Sequence, residues 1–174
     1  MNQDFLASGS TVMIEMYDDR VEISNAGKPL IRIERFIDEN KSRNEKLANF
    51  MRRLGICEKK GSGIDKVVSA AEMFQLPSPD FRDGDMRITV ILFSHQNFDD
   101  MKKSDRIRAC YKHSVLMYIS NRRMSNQSLR ERFEVTESKQ DTVSTVIGEA
   151  KKKGLIRPDE SDSSSTSYAR YLPF

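Results

Sequence analysis

Between Arg122 and Arg170 the chain carries a set of side chains suited to holding a polyanion. Gln140 offers the paired donor and acceptor that match an adenine edge, and the hydroxyls of Ser138, Ser144 and Thr145 can bond to several bases. Arg122, Arg123, Lys139, Lys151, Lys152 and Arg170 are cations of the kind that meet phosphate. Charge follows the same division. Residues 1–103 hold 16 Lys and Arg against 17 Asp and Glu, whereas residues 104–174 hold 13 against 9. The net charge of +3 therefore arises in the second part, and phosphate is its natural partner. Glu137 and Asp141 oppose it, because a carboxylate beside phosphate costs affinity. An ordinary solvated surface would also account for basic residues in this number.

Other chemistries find less support. His95, in a polar stretch, and His113, on a charged helix, have no nucleophile close by in sequence, and both read as solvated. Cys57 and Cys110 stand far apart, and two cysteines with two histidines do not form a closed four-ligand zinc site; both read as buried or idle thiols. Asp18-Asp19 and Asp99-Asp100 are paired carboxylates, but in a turn and a connecting stretch. No run of the form G-x-x-x-x-G-K-[ST] occurs, so a helicase motor cannot be built from this chain. No catalytic residue and no metal ligand is assigned. No apolar run approaches the roughly 20 residues that span a bilayer, and the N-terminus lacks a basic region ahead of an apolar core. Neither a membrane partner nor secretion is expected.

The elements that must position the basic set are helical. Ile107, Cys110, Val115 and Tyr118 or Ile119 make an apolar stripe over Asp105–Ser120. Ser125 is an N-cap for a short helix ending near Phe133, with Leu129 and Phe133 one turn apart. Thr136 is expected to cap a longer helix, Glu137–Lys153, whose buried stripe is Val143, Val146, Ile147 and Ala150. That stripe turns Ser138, Asp141, Ser144 and Thr145 outward and leaves Lys139 and Gln140 near the margin. Gly154 closes the helix, Leu155-Ile156-Arg157 begins a strand, and Tyr168–Phe174 returns as its partner after a serine-rich loop. Helix, short helix, turn, longer helix and hairpin resemble the winged helix-turn-helix as a class. In that fold the longer helix enters the major groove. A plain three-helix bundle with a disordered tail is the other arrangement that this pattern allows.

The first part reads as α+β. Val12, Ile14 and Met16 alternate along Thr11–Tyr17, Asp18-Asp19 turns, and Arg20–Ser24 returns, which predicts a hairpin. Asn44 is an expected N-cap for a helix with Leu47, Met51 and Leu54 on one stripe and Phe50 beside them; Gly55 ends it. The glycine-punctuated loop Glu58–Gly63 leads into a second helix with Ile64, Val67, Val68, Ala71 and Phe74 on its apolar side. Leu76-Pro77-Ser78-Pro79 is extended, since proline pushes its predecessor out of the helical region. Asp80–Arg82 and Met86–Phe93 flank a turn at Asp83-Gly84-Asp85. Met86–Phe93 is apolar on both faces in its second half, as a central strand would be.

Ile14–Gly27 (I-E-M-Y-D-D-R-V-E-I-S-N-A-G), Ser42–Gly55 (S-R-N-E-K-L-A-N-F-M-R-R-L-G) and Glu58–Ile64 (E-K-K-G-S-G-I) carry a family resemblance that spans Val12–Phe93. This stretch resembles the C-terminal domain of RecG-like, ATP-dependent-helicase-related proteins and of transcriptional regulators with a Schlafen/AlbA-type domain. The resemblance implies a relative of the GHKL ATPases. It places Asn25 and Gly27 where the first glycine box of those enzymes falls, and Gly61, Ser62 and Gly63 at the phosphate-side box. Bare backbone N–H groups ahead of a helix can cradle phosphate there. The family segment before the first strand is matched only by Asn2-Gln3-Asp4-Phe5. No cofactor is therefore assigned, and ATP with magnesium is expected only with an upstream segment.

Together these readings give a GHKL-like two-layer α/β sandwich fragment at 1–93, a linker at 94–103 and a mostly helical winged helix-turn-helix at 104–174. The function expected is that of a DNA-binding transcriptional regulator, cytoplasmic and homodimeric, with double-stranded DNA as partner and the first domain dimerising or sensing. Catalysis is not expected. The alternatives are an ATP-binding, helicase-related protein whose nucleotide site is incomplete here, or a protein-interaction module.

Overall fold

Alternating side chains along Arg20–Ala26 and the doubly apolar run Arg87–Phe93 form the two inner strands of an antiparallel sheet. The structure is a computed structural model, described over residues 11–39, 41–56, 63–160 and 169–173. It divides into two compact units, Met1–Val68 with Pro79–Ser94, and Ser69–Ser78 with His95–Phe174. Both units contain antiparallel sheet, and five α-helices are present among the described residues, so the class is mixed α+β. No helix among those residues is long and apolar enough to cross a membrane.

In the first unit the strand order is β1 (Met13–Met16), β2 (Arg20–Ala26), β4 (Arg87–Phe93), β3 (Asp80–Asp83). The expected hairpin is present, with Met13 opposite Ser24 and Met16 opposite Val21. β4 is internal, as its sequence predicts, pairing Ile91 with Glu22 on one side and Asp80 on the other. Ile91 is almost wholly buried, and Phe81 is met edge-on by Phe36 at 5.6 Å. Phe36 ends a short 3-10 helix, Ile33–Phe36, in the stretch where the sequence shows no clean period.

The expected core stripe of helix α1 (Glu45–Arg53) is not what the structure buries. Only Ala48 is buried, whereas Leu47, Phe50 and Leu54 are exposed. Periodicity identifies the apolar face of a helix but not what covers it. Asn44 precedes the helix without a side-chain capping bond, because its backbone lies outside the extended region that aims a cap at the first turn. Gly55 does what its position predicts: at φ +71° it adopts the left-handed conformation that ends the helix. Helix α2 (Ile64–Met73) buries Val68 and Ala71, while Val67 and Phe74 are exposed.

The second unit is built on helix α3 (Lys103–Ile119), helix α4 (Asn126–Arg132) and helix α5 (Gln140–Lys152). A three-stranded sheet completes it, with β7 (Arg170–Pro173) between β5 (Met124–Ser125) and β6 (Ile156–Pro158). β5 has no counterpart in the sequence reading, since two residues are too few to show a period. Ile107, Cys110, Val115, Met124, Leu129, Val143, Val146, Ile147, Ala150 and Ile156 form the buried core, while Tyr118 and Ile119 are exposed. Fully burying side chains such as Leu129 and Val143 stabilises by about 1.5–3 kcal/mol each. The stretch 94–103, expected as a linker, is divided: Ser94 belongs to the first unit and 95–103 to the second. There Phe98 and Met101 are buried, and Phe98 packs on Phe133 at 4.8 Å between ring centres.

Candidate nucleic-acid interface

Ser125 starts the arrangement. Its hydroxyl accepts from the Ser128 backbone N–H at 3.1 Å, and the Ser128 hydroxyl accepts from the Ser125 backbone N–H at 3.0 Å. This reciprocal cap satisfies two N–H groups that the first turn of α4 would leave open. Glu134, at φ +53°, then reverses the chain into Val135 and Thr136. Thr136 does not cap the next helix as expected. Its hydroxyl lies 2.8 Å from that of Ser138, and a 3-10 turn, Glu137–Lys139, intervenes before α5 begins at Gln140.

Val143, Val146, Ile147 and Ala150 are all buried, as the i, i+3, i+4, i+7 spacing predicts. The opposite face of α5 presents Gln140, Asp141, Ser144 and Thr145, then Gly148, then Lys151 and Lys152. All are exposed except the half-buried Gly148. This face joins base-reading hydroxyl and amide groups to cations at the helix's far end, where cations also complement the helix dipole. Lys151 Nζ stands 6.0 Å from the Tyr171 ring centre. Gly154, at φ +66°, closes α5 in the left-handed conformation.

The remaining expected contacts separate into two groups. Ser138, Arg122 and Arg170 are exposed. Lys139 and Arg123 already have carboxylate partners: Lys139 Nζ reaches both Asp99 oxygens, at 2.8 and 3.0 Å, and Arg123 Nε donates to Asp159 at 2.7 Å. The Lys139 ammonium holds the Asp99 carboxyl below the usual carboxylate range. Lys103 does the same for Glu149, at 3.0 Å.

Two clusters of the second unit escape sequence reasoning. One is centred on Asn126, whose Nδ2 donates to the Gln140 carbonyl at 3.1 Å and to Ser144 Oγ at 2.9 Å. Its Oδ1 accepts from Arg130 Nε at 3.0 Å. The other overturns the reading of His113 as solvated: the ring is buried, with Nδ1 2.9 Å from Glu72 Oε2 and Nε2 3.2 Å from Ser128 Oγ. Glu72 is 41 residues away in sequence, so no local pattern announces it. Beside them the buried Arg132 donates through Nη2 to the Leu76 carbonyl at 2.6 Å, with Nε 3.7 Å from Glu72 Oε1. Burial disfavours the charged form of Arg132 and Glu72 favours it. Carboxylate, imidazole and hydroxyl stand in the order that activates a serine nucleophile. The Ser128 hydroxyl, however, is engaged with both the N–H and the carbonyl of Ser125, so the cluster braces the start of α4.

In the first unit, Asn25 sits in β2 opposite Ile88, its amide 3.4 Å from the Ala26 carbonyl. Gly27, at φ +107°, donates to the Met86 carbonyl at 3.0 Å and carries the chain out of the sheet. Gly63 is exposed, and a Cβ there would meet nothing within 4 Å. Gly61 and Ser62 lie outside the described residues, as does Cys57. No group of three His, Cys, Asp or Glu among the described residues is placed to hold a metal.

Residues 9–92 match the family described as "Putative ATP-dependent DNA helicase recG C-terminal", so the first part of the chain is similar to a RecG C-terminal, ATPase-related domain. Among solved structures, the chain is similar to the DIP2311 protein from Corynebacterium diphtheriae, with a TM-score of 0.54 and 12% sequence identity. That likeness covers 99% of this chain and 38% of DIP2311, so the chain spans well under half the length of that protein. No curated protein matches the chain.

Proposed function

We propose that this chain is a DNA-binding transcriptional regulator whose second unit is a winged helix, with α5 as its recognition helix. The outward face of α5 carries the proposal, because Gln140, Ser144, Thr145, Lys151 and Lys152 combine base-edge and phosphate chemistry on one exposed stripe. The succession α3, β5, α4, α5, β6, β7 supports it, with the β6–β7 hairpin as the wing and Arg170 on it. Arg122 and Ser138 add exposed contacts. Arg123 and Lys139 serve as contacts if phosphate competes with Asp159 and Asp99 for them. The first unit has GHKL-like layering and acts in dimerisation or sensing; exposed apolar residues on β1 and α1 favour the former. A homodimer sets two recognition helices on two half-sites. Binding to a promoter places the protein in the cytoplasm.

The test is binding to a mixed duplex pool across a salt series, with wild type against the Lys151→Ala, Lys152→Ala, Lys153→Ala triple variant. Affinity should fall steeply with salt, and the variant's slope should be shallower by up to about 2.7, the loss of three phosphate contacts. Absence of binding at low salt overturns the proposal and leaves a protein-contact module.

A second reading, in which the first unit binds ATP with magnesium, draws on the family match over 9–92. Asn25, Gly27, Gly61, Ser62 and Gly63 would then line the nucleotide. Magnesium-dependent ATP affinity in the longer protein would favour it.

A further inference from the structure

We propose that Arg130 is a phosphate contact beside the α5 face, its guanidinium held by Asn126 with the outer fork left for the DNA backbone. The inference rests on the DNA-binding reading above and adds a residue which that reading does not include.

Cations of the second unit differ in what holds them. Lys103, Arg123 and Lys139 are each joined to a carboxylate, and the buried Arg132 has Glu72 beside it. Arg130 is held otherwise. Its side chain makes one bond, from Nε to Asn126 Oδ1 at 3.0 Å, and no carboxylate pairs with it. Glu131, next in the chain, is turned to Gln127, whose amide donates to it at 3.0 Å. An amide oxygen carries no net charge, so the bond fixes the Arg130 guanidinium and leaves its positive charge uncompensated.

A guanidinium offers five N–H donors in a planar fork, and Nε carries one of them. The four on Nη1 and Nη2 have no protein partner, and neither nitrogen is sealed from solvent. Two of these N–H groups, one from each Nη, lie side by side and match two oxygens of one phosphate. Because Nε is anchored, the fork is ordered before a ligand arrives. That lowers the entropic cost of immobilising a long side chain on binding.

The place of the fork follows from the two helices. Helical side chains lean towards the N-terminus, and the bond to Asn126 draws the Arg130 head back to the first residue of α4. The helix dipole disfavours a cation at that end, so it does not account for the position. Asn126 in turn donates to the Gln140 carbonyl at 3.1 Å and to Ser144 Oγ at 2.9 Å. One amide thus ties the guanidinium to the first turn of α5, where Gln140 and Ser144 are exposed. Arg130 stands on α4, and in a helix-turn-helix the helix before the recognition helix crosses the DNA backbone. Phosphate, rather than a base edge, is the group it fits.

The experiment has two arms, both on the full chain with mixed-sequence duplex. In the first, phenylglyoxal, which adds to arginine Nη atoms, is applied to wild type with and without saturating duplex, and modification is read by peptide mass. Arg130 should react in the free protein and be shielded by duplex. In the second, affinities are measured across a salt series for wild type, Arg130→Gln, Arg130→Lys and Lys103→Gln. Arg130→Gln should bind every duplex about tenfold more weakly, as loss of a bond to a charged group implies, with a salt slope shallower by about 0.9. Arg130→Lys keeps the charge and the slope but has neither fork nor Nε, so its affinity should fall between the two. Lys103→Gln changes the net charge equally at a cation already paired, and should stay near wild type. Equal losses in the two glutamine variants overturn the proposal, as does an Arg130→Gln slope equal to that of wild type. A loss confined to one base position marks a base contact and overturns the phosphate assignment, and a lysine variant equal to wild type overturns the role of Asn126. The shielding arm uses the unaltered chain and so decides even where a variant fails to fold. If wild type binds no duplex at low salt, the DNA reading fails as well; duplex binding that leaves Arg130 unshielded defeats only the present inference.

Discussion

Removing the Glu72 carboxylate should weaken the second unit more than any exposed charge change. The side chain of Arg132 is 2% exposed, and Glu72 is the anion beside it, with Nε 3.7 Å from Oε1. Glu72 also holds Nδ1 of the buried His113 at 2.9 Å. Glu72→Ala therefore strands a buried guanidinium and a buried imidazole together. Breaking a buried ion pair from one side costs about 3–5 kcal/mol. The 3.7 Å separation exceeds hydrogen-bond length, which places the expected cost near the lower end, about 3 kcal/mol. Near the midpoint of a unit of this size, that is a fall in Tm of more than about 10 °C.

Arg132→Met should also cost several kcal/mol, since it abandons the Leu76 carbonyl as well as Glu72. The double variant removes both charges, and a pair replaced by apolar groups is often close to neutral. Its cost should fall short of the sum of the singles by about 1–3 kcal/mol, the coupling expected of groups in one network. Far-UV circular dichroism in urea is the assay, because the chain has no tryptophan to report by fluorescence. Singles that cost under about 0.5 kcal/mol, or a double variant equal to their sum, would refute the reasoning that this pair is coupled and desolvated.

Two further outcomes follow from single side chains. Burial pushes the Cys110 thiol up to about 12, so in a Cys57→Ser background it should resist alkylation in the folded state and react once urea unfolds the unit. Because the folded value lies above the unfolded one, its contribution to stability is complete below the usual thiol range, about 8.5, and is lost as pH rises towards 12. Gly148→Ala should stabilise α5 by about 0.5–1 kcal/mol, since a Cβ there meets nothing within 4 Å and helix interiors favour alanine. Thermal melting checks the gain, and a loss of DNA affinity in that variant would mark close approach of the α5 backbone to the duplex.

What the sequence discloses depends on how far apart the cooperating residues lie. The α5 stripe, the Ser125 cap and the closing glycines Gly55 and Gly154 are local patterns, and all appear in the structure as expected. The outward face of α5 is legible for the same reason, because it is the complement of a clear stripe. The partners of Lys139 and Arg123 are not, since Asp99 and Asp159 lie 40 and 36 residues away. Phe98 hides in a polar stretch because one aromatic residue makes no period. The α1 stripe misleads in the opposite direction: Leu47, Phe50 and Leu54 recur as a buried face would, yet they are exposed. Helical spacing reports an apolar side, and only tertiary structure says whether anything lies against it.

The same distinction separates the two kinds of residue at the candidate interface. Gln140, Ser144 and Thr145 can be nominated from helical phase, because any exposed polar residue on that face has the right chemistry. Asn126 cannot, since it looks like an ordinary first-turn residue of α4 until its three partners are seen. Yet its Nδ2 fills one of the two lone pairs of Ser144 Oγ, so a hydroxyl on the exposed face of α5 is held from another helix. Phosphate contacts can be estimated from the number of exposed cations, and their loss should lower affinity for every sequence alike. The position of the Ser144 hydroxyl is set by two helices at once, and its partner on α4 becomes visible only in the structure.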